Sequence, residues 1–306
     1  MAFEPAYLSL IRSGGLAVRA EQAQRRLARC DICPRECGAD RLSSSKGAVC
    51  RTGARAVVSS YHAHFGEEAP LVGFHGSGTI FFSWCNLNCQ YCQNYEISQL
   101  GDGREVSADQ LAAMMLYLQG MGCHNINLVS PTHVVPQILS AVSLAAESGL
   151  RLPLVYNSGG YDSLTTLALL DGIVDIYMPD MKYGDAAVGK RLSLVDDYPS
   201  VNAAAVMEMF RQVGDLELDE RGIAQRGLLV RHLVLPGGLA GTEEIVRLLA
   251  ERVSPHTYVN IMEQYRPCYR AQGHPQLGRR ITPAEYMEAI RLAREAGLYR
   301  LDERTQ

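Results

Sequence analysis

Short apolar runs alternate along most of the chain with segments in which apolar residues recur every three or four positions. Runs of the first kind predict buried strands, and segments of the second kind predict amphipathic helices. The predicted strands are residues 78–83, 125–129, 152–156, 173–178, 228–234 and 257–262. The predicted helices are residues 107–120, 134–149, 163–170, 200–213, 242–252 and 282–297.

This alternation of strands and helices favours an α/β fold in which a parallel sheet is covered by helices. Six strand–helix units are too few for a closed eight-stranded barrel, and they fit an open, partial (β/α)6 TIM-like barrel. A doubly wound sheet produces the same pattern and is the alternative.

The amino-terminal part of the chain follows a different pattern. Residues 1–29 have helical periodicity, whereas residues 30–56 have few periodic apolar positions and are rich in Cys, Gly, Ser and Arg. Such a composition indicates a segment that is held by a metal rather than by a core of its own. We therefore expect a helical and Cys-rich amino-terminal segment at residues 1–60 and the partial barrel at residues 61–306.

The composition excludes several classes of protein. Hydrophobic residues make up 47% of the 306 residues and charged residues 20%, which is ordinary for a globular protein and not for a disordered one. A formal net charge of −4 argues against a nucleic-acid-coating surface. The chain shows neither a secretory signal pattern nor an apolar run of membrane-spanning length, so we expect a cytoplasmic protein without a membrane partner.

The nine cysteines are the unusual feature of the composition, and three of them lie close together after the first predicted barrel strand. Cys85, Cys89 and Cys92 have the spacing C-x3-C-x2-C. In a reducing cytosol such thiols are metal ligands or catalytic groups more often than disulfides. A [4Fe–4S] cluster normally takes four cysteines, so three would leave one iron open to an exchangeable ligand. The alternatives are small core residues or a zinc site completed by a distant His.

A second set of cysteines lies near the amino terminus and is complete. Cys30, Cys33, Cys37 and Cys50 have the spacing C-x2-C-x3-C-x12-C. Four thiolates suit either zinc in an all-cysteine site or a second iron–sulfur cluster. The spacing leaves zinc and iron–sulfur open, and free surface thiols are the alternative to both.

The triad, with aromatic Tyr91 directly before its last cysteine, resembles the radical SAM superfamily. The resemblance extends over roughly residues 57–300. It implies a [4Fe–4S] cluster on Cys85, Cys89 and Cys92, whose open iron binds S-adenosylmethionine. It also implies an enzyme that reductively cleaves this cofactor to a 5′-deoxyadenosyl radical, which abstracts a substrate hydrogen. A reductant such as flavodoxin or ferredoxin is implied as a partner.

The ends of later strands resemble the pyruvate formate-lyase activating enzymes and their PflX-type relatives. The matching runs are Asn157-Ser158-Gly159-Gly160-Tyr161, Met178-Pro179-Asp180-Met181-Lys182 and Arg231-His232-Leu233-Val234-Leu235-Pro236-Gly237. The resemblance implies a cofactor-binding set of Tyr91, Ser130, Thr132, Asn157, Ser158, Asp180, Lys182 and Arg231. Lys182 and Arg231 suit the methionine carboxylate, because both side chains are cationic and Arg can bind it bidentately.

Two positions depart from the activating-enzyme pattern. Ser130-Pro131-Thr132 stands where those enzymes have Gly-Gly-Glu, which holds the methionine amino group. Asn157 and Ser158 stand where they have an Asp beside a monovalent cation, and Asp180 is left as the carboxylate for such a cation.

The closest resemblance therefore predicts an activating enzyme of a glycyl-radical enzyme. A radical SAM enzyme that modifies a small molecule or a peptide is the first alternative, since both departures concern the cofactor site. The alternative from another class is a non-catalytic iron–sulfur or zinc protein.

Overall fold

Six parallel strands form the centre of the molecule, whose computed structural model describes residues 3–302. Each strand is followed by helical structure before the next one begins, so the strands share one direction and one carboxyl edge. They are β2 (Ser77–Phe82), β4 (Ile126–Val129), β5 (Leu154–Ser158), β6 (Ile176–Pro179), β8 (Ala224–Leu233) and β9 (Tyr258–Met262), paired in that order.

Three further strands extend this sheet at its margins. β1 (Ala56–His64) pairs antiparallel with β2, and β3 (Arg104–Val106) pairs antiparallel with β1. The two-residue strand β7 (Glu217–Leu218) forms a hairpin with β8. Within residues 3–302, β9 pairs with β8 and not with β2, so the barrel is open on that side.

Eleven α-helices in the described residues cover the sheet or connect its strands. Two of the long ones begin at capping boxes, in which Ser107 or Thr282 accepts from the backbone of the third helical residue. The helices are α1 (Tyr7–Arg12), α2 (Gly15–Arg25), α3 (Ala69–Val72), α4 (Tyr95–Ser98), α5 (Ala108–Gly120), α6 (Val135–Glu147), α7 (Leu164–Leu170), α8 (Ala186–Ser193), α9 (Tyr198–Val213), α10 (Thr242–Leu248) and α11 (Pro283–Glu295).

The amino-terminal helices share the core of the barrel. Tyr7, Leu16, Leu27 and Ile32 are completely buried, and they belong to the same apolar cluster as Leu139 of α6 and the strand residues. The predicted boundary at residue 60 lies inside β1, whose residues pair with β2. The division into two parts stays a prediction.

The predicted α/β fold with a mostly parallel sheet is confirmed, and two local expectations are not. The sequence of residues 57–75 predicts two short extended runs around a glycine-containing turn, but only β1 is extended, and Pro70 lies in the first turn of the short helix α3 instead. Helix α8 was not predicted at all. Among residues 3–302, no helix combines the length and the apolar character that crossing a bilayer requires.

Candidate functional site

The loop that carries the cysteine triad leaves the carboxyl end of β2 and returns through α4. Trp84 has a left-handed backbone conformation, with φ of 67°, and its N–H donates to the Ile97 carbonyl at 2.9 Å. This hydrogen bond closes the loop at its base, so Cys85, Cys89 and Cys92 all lie within one closed loop. We call residues 83–99 the cluster loop.

Each cysteine of the triad has a polar neighbour at its sulfur. The Leu87 N–H donates to Cys85 Sγ at 3.4 Å, and the Ser193 hydroxyl donates to Cys89 Sγ at 3.0 Å. Cys92 Sγ lies 3.0 Å from the Ser98 hydroxyl. Donors aimed at sulfur stabilise thiolates, which are the form that binds iron.

The surroundings of the triad disfavour thiolates that have no metal. Loss of hydration and, to a smaller extent, the neighbouring charge of Cys89 together raise the pKa of Cys85 to about 12. Loss of hydration also raises the pKa of Cys92. A metal cluster would supply the missing positive charge, so the donor set fits the iron–sulfur cluster implied by the sequence.

In the described residues, neither the triad nor the amino-terminal cysteines form a ready-made site for a single metal ion. In a [4Fe–4S] cluster each cysteine binds a different iron, so the three sulfurs need not converge on one point.

A cleft of about 220 Å³ opens between the cluster loop and the carboxyl ends of the barrel strands. This is the edge at which barrel enzymes place their chemistry. The lining combines triad residues with predicted cofactor ligands, and it consists of Cys89, Tyr91, Cys92, Gln93, Asn94, Asp180, Lys182, Arg231, Leu233, Met262 and Gln264.

A charged network crosses the cleft floor. Asp180 follows β6 and binds Lys182 Nζ at 2.6 Å through one carboxylate oxygen and Arg231 Nε at 2.9 Å through the other. Arg231 also donates from Nη2 to Asn157 Oδ1 at 2.7 Å. The structure thus brings together four predicted cofactor residues from three neighbouring strands.

The ion pairs keep this network ionised although it is mostly buried. Burial works against the charge of Asp180, but Arg231 and Lys182 outweigh it and hold the pKa of Asp180 below its usual value. Burial likewise opposes the charges of Lys182 and Arg231, and the charge of Asp180 raises the pKa of both. The cleft therefore presents two permanent cations beside the triad.

Three predicted cofactor residues have other partners. The hydroxyls of Thr132 and Ser158 both donate to the buried Asp162, each at 2.7 Å. Ser130 has φ of 58°, and its N–H donates to the Asn157 carbonyl. None of the three lines the cleft, so their role at a cofactor stays a prediction.

Two buried glutamates that the sequence pattern did not indicate lie close to the cleft. Glu67 Oε2 lies 3.7 Å from Arg231 Nη1, and Glu68 Oε1 accepts from Asn260 Nδ2 at 2.8 Å. Both precede α3 in a stretch that was expected to be extended, so no pattern marked them as buried. A second omission is Ser193, the donor to Cys89, because it belongs to the unpredicted helix α8.

Tyrosines support the cleft from behind. Tyr91 makes edge contacts with Tyr183 and Tyr265, at ring-centroid distances of 6.3 and 6.0 Å. The Tyr198 hydroxyl donates towards the Gly159 and Asp180 carbonyls. The contacts of Tyr198 join the chain at Asp180 to the chain at Gly159, which follows β5.

The amino-terminal cysteines lie in a segment of tight turns. The Gly38 N–H donates to the Cys30 carbonyl at 2.9 Å, and the Glu36 N–H donates to the Cys33 carbonyl at 3.0 Å. Burial, with smaller contributions from charges on Cys50, Cys30 and Cys37, raises the pKa of Cys33 to about 12. Cys33 therefore lies within electrostatic reach of the other three cysteines.

Comparison with known proteins links this chain to one family. A family model described as the radical SAM superfamily matches residues 79–214, which contain the triad, Asp180 and Lys182. An uncharacterized protein of Methanocaldococcus jannaschii is 30% identical over 305 residues, which cover 95% of this chain and 82% of that protein.

Two solved structures are similar in part. A radical SAM methyltransferase from Sphaerobacter thermophilus has a TM-score of 0.49 and 16% identity, and the match covers 72% of this chain and 64% of that one. SuiB from Streptococcus suis, bound to its precursor peptide SuiA, has a TM-score of 0.47 and 10% identity, with coverages of 69% and 43%. This chain spans less than two thirds of either structure.

Proposed function

Because this chain belongs to the radical SAM superfamily, we propose that it reductively cleaves S-adenosylmethionine and abstracts a hydrogen atom from a substrate. The observation that carries the proposal is one cleft that unites Cys89 and Cys92 with Asp180, Lys182 and Arg231. When held by Cys85, Cys89 and Cys92, a [4Fe–4S] cluster would pass one electron from the reductant to the cofactor, which would split into methionine and a 5′-deoxyadenosyl radical.

The residues of the cleft have separate tasks in this proposal. Cys85, Cys89 and Cys92 would each hold one iron of the cluster, and the fourth iron would have no protein thiolate. Lys182 and Arg231 bind the methionine carboxylate, because they are the two cations of the cleft and lie on its floor. Asp180 orients both cations, and with the Met178 carbonyl it is the proposed ligand set for a monovalent cation.

For the substrate we propose the backbone glycine of a glycyl-radical enzyme, as in the activating enzymes that the strand ends resemble. The support is Asp180, Lys182 and Arg231, which match the activating-enzyme and PflX-type pattern residue by residue. A small molecule or a peptide is the alternative substrate. Flavodoxin or ferredoxin is the proposed reductant.

Cofactor cleavage tests the reaction. The protein is reconstituted with iron and sulfide without oxygen, reduced, and mixed with S-adenosylmethionine, and 5′-deoxyadenosine is measured. We expect product from the wild type and from Cys123→Ala, whose sulfur is buried in the core, and none from Cys89→Ala. A wild-type sample with a full cluster that forms no product at any reductant would contradict the enzyme proposal.

The substrate is tested separately. Incubation with a glycyl-radical enzyme should give the electron paramagnetic resonance signal of a glycyl radical on the partner. Cofactor cleavage without that signal, but with consumption of a peptide or a metabolite, would favour the alternative.

We also propose a second metal at the amino-terminal cysteines, either zinc or a second iron–sulfur cluster. Its support is the four-cysteine set itself, in which Cys33 lies within electrostatic reach of Cys30, Cys37 and Cys50. Elemental analysis of zinc and iron tests it directly.

A further inference from the structure

The segment that carries the four amino-terminal cysteines packs directly on the cluster loop. Two of its arginines make the contacts, and each lies beside metal-ligand candidates in the sequence. Arg35 lies between Cys33 and Cys37, and Arg51 follows Cys50.

Arg35 reaches the chain beside two triad cysteines. Its Nε donates at 2.9 Å to the carbonyl of Asn86, the residue after Cys85. Its Nη1 donates at 2.7 Å to the carbonyl of Leu194, the residue after the Ser193 that donates to Cys89. One guanidinium therefore fixes the surroundings of two of the three sulfurs.

Arg51 holds the two ends of the cluster loop. Its guanidinium carbon lies 5.0 Å from the centroid of the Trp84 ring, directly before Cys85. Its Nη1 donates at 3.2 Å to the carbonyl of Gln99, which follows the Ser98 that contacts Cys92. Together, Arg35 and Arg51 contact the chain next to a partner of every triad cysteine.

A third arginine of the segment, Arg41, is buried beside the cysteines and indicates that negative charge lies among them. Arg41 is 1% exposed, and it donates to the Thr52 carbonyl at 2.7 Å and to Cys30 Sγ at 3.5 Å. Within residues 3–302 it forms no ion pair with a carboxylate. A buried guanidinium needs a counter-charge, and the nearest candidates are the thiolates.

A metal bound to the four cysteines would give Arg41 a negative counter-charge. Four thiolates around zinc or around a [4Fe–4S] core leave a net negative charge of about two. Arg41 is placed to offset part of that charge through Cys30. Its own charge also reaches His133, whose Nε2 lies 3.0 Å from the Ser83 carbonyl at the start of the cluster loop.

We propose that Cys30, Cys33, Cys37 and Cys50 bind an anionic four-thiolate metal centre, and that this centre positions the catalytic cluster loop through Arg35 and Arg51. The inference rests on the second metal proposed above and not on the cleavage of S-adenosylmethionine. Arg35 and Arg51 act as positioning residues, because they contact the loop and not the cofactor.

The first experiment isolates the metal centre. In a variant with Cys85, Cys89 and Cys92 all changed to Ala, only the amino-terminal site can hold metal. We expect about one zinc or about four irons per chain, and the element found distinguishes the two kinds of centre. A folded sample, judged by circular dichroism, with neither element above trace level would overturn the proposal. If this variant does not fold, the metal lost between wild type and Cys33→Ala gives the same answer.

The second experiment tests positioning with all seven cysteines intact. Arg35→Gln and Arg51→Gln are compared with Arg55→Gln, an exposed arginine of the same segment. The readouts are the rate of iron loss from the catalytic cluster to a chelator and its paramagnetic resonance spectrum with and without S-adenosylmethionine. We expect about tenfold faster iron loss and an altered spectrum for each of the two, because each loses charged hydrogen bonds to the loop. Arg35→Lys should lose iron at a rate between those of the wild type and Arg35→Gln, since Lys keeps the charge but lacks the planar set of donors of Arg.

The outcomes separate this inference from the proposed reaction. Loss of thermal stability with unchanged iron release and spectrum would mean a merely structural role and would overturn positioning. If S-adenosylmethionine never changes the wild-type spectrum, the proposed reaction fails, while the iron-release comparison still decides the positioning.

Discussion

At the scale of single residues, the cleft depends on one carboxylate. Asp180 is the shared partner of Lys182 and Arg231, and all three side chains are mostly buried, with 15%, 19% and 18% of their surfaces exposed. A buried cation that loses its partner is costly, because its desolvation is no longer compensated.

We therefore expect Asp180→Asn to lower the free energy of unfolding by about 3 kcal/mol or more. The matched control is Asp196→Asn, which removes the exposed ion pair with Lys190 and should cost about 1 kcal/mol or less. Urea unfolding of both variants at neutral pH measures the difference. Equal losses would mean that Asp180 does not compensate the two cations.

The sequence could predict which residues reach the cleft edge, but not which neighbour each would bind. Asp180, Lys182 and Arg231 meet because the carboxyl ends of parallel strands share an edge. Thr132 and Ser158 occupy the same edge, yet their hydroxyls point to Asp162. These hydrogen bonds depend on the buried Asp162, four positions beyond Ser158. No local sequence pattern indicated that Asp162 would be buried.

At the scale of elements, the cluster loop is packed against a second turn. Gly101 has φ of 76°, and a Cβ atom there would overlap the Trp84 ring. Trp84 can lie flat over this turn only because position 101 carries no side chain.

Gly101→Ala should therefore destabilise the loop more than backbone strain alone explains. Gly222 provides the control, because it has a similar φ of 80° but no atom within 4 Å of an added Cβ. We expect about 1–2 kcal/mol for Gly222→Ala, and a larger loss together with lower iron retention for Gly101→Ala. Equal unfolding free energies and equal iron content would show that the ring tolerates the methyl group.

A second element-scale prediction concerns the attachment of the amino terminus to the sheet. Asp175 accepts from the N–H of Ala6 at 2.8 Å and from the N–H of Leu154 at 3.0 Å. Burial raises its pKa from 3.8 to about 7. Between these values the folded state binds more protons than the unfolded state, so the free energy of unfolding falls as the pH rises.

Relative to Asp175→Asn, the wild type should lose up to about 4 kcal/mol between pH 4 and pH 7. Unfolding by urea at several pH values measures this difference, with the exposed Glu220→Gln as a control that should show no such trend. A difference that stays constant over this range would mean that Asp175 is ionised throughout.

The elements differ in how well their patterns revealed them. The strands were predictable because buried parallel strands are continuous apolar runs. Helix α8 was not, because Gly189 lies in its middle and weakens its helical pattern. The structure explains this glycine, since an added Cβ would lie 3.1 Å from the Val195 carbonyl and 3.2 Å from Tyr198.

At the scale of the whole molecule, the amino-terminal helices and the barrel share one apolar core. Leu16 of α2 is completely buried in it, whereas Val18 of the same helix is 54% exposed. A core that crosses from α2 to α6 couples the cysteine-bearing segment to the barrel.

Leu16→Ala should lower the free energy of unfolding of the whole chain by about 3 kcal/mol, through lost burial and a cavity. Val18→Ala, which removes an exposed side chain, should change it by about 0.5 kcal/mol or less. Calorimetry compares the two, and we expect a single transition that moves as a unit. A separate early transition in Leu16→Ala would show that the amino-terminal helices melt independently.

Trp84 is the only tryptophan in the sequence, and it lies directly before the first triad cysteine. Its position means that the protein carries an intrinsic fluorescent reporter at the base of the cluster loop. A bound iron–sulfur cluster would absorb at the wavelengths at which Trp84 emits. Binding of the cluster to the triad would therefore quench the fluorescence of Trp84. A shift of that emission to longer wavelength would register water entering between Trp84 and Arg51, without any label.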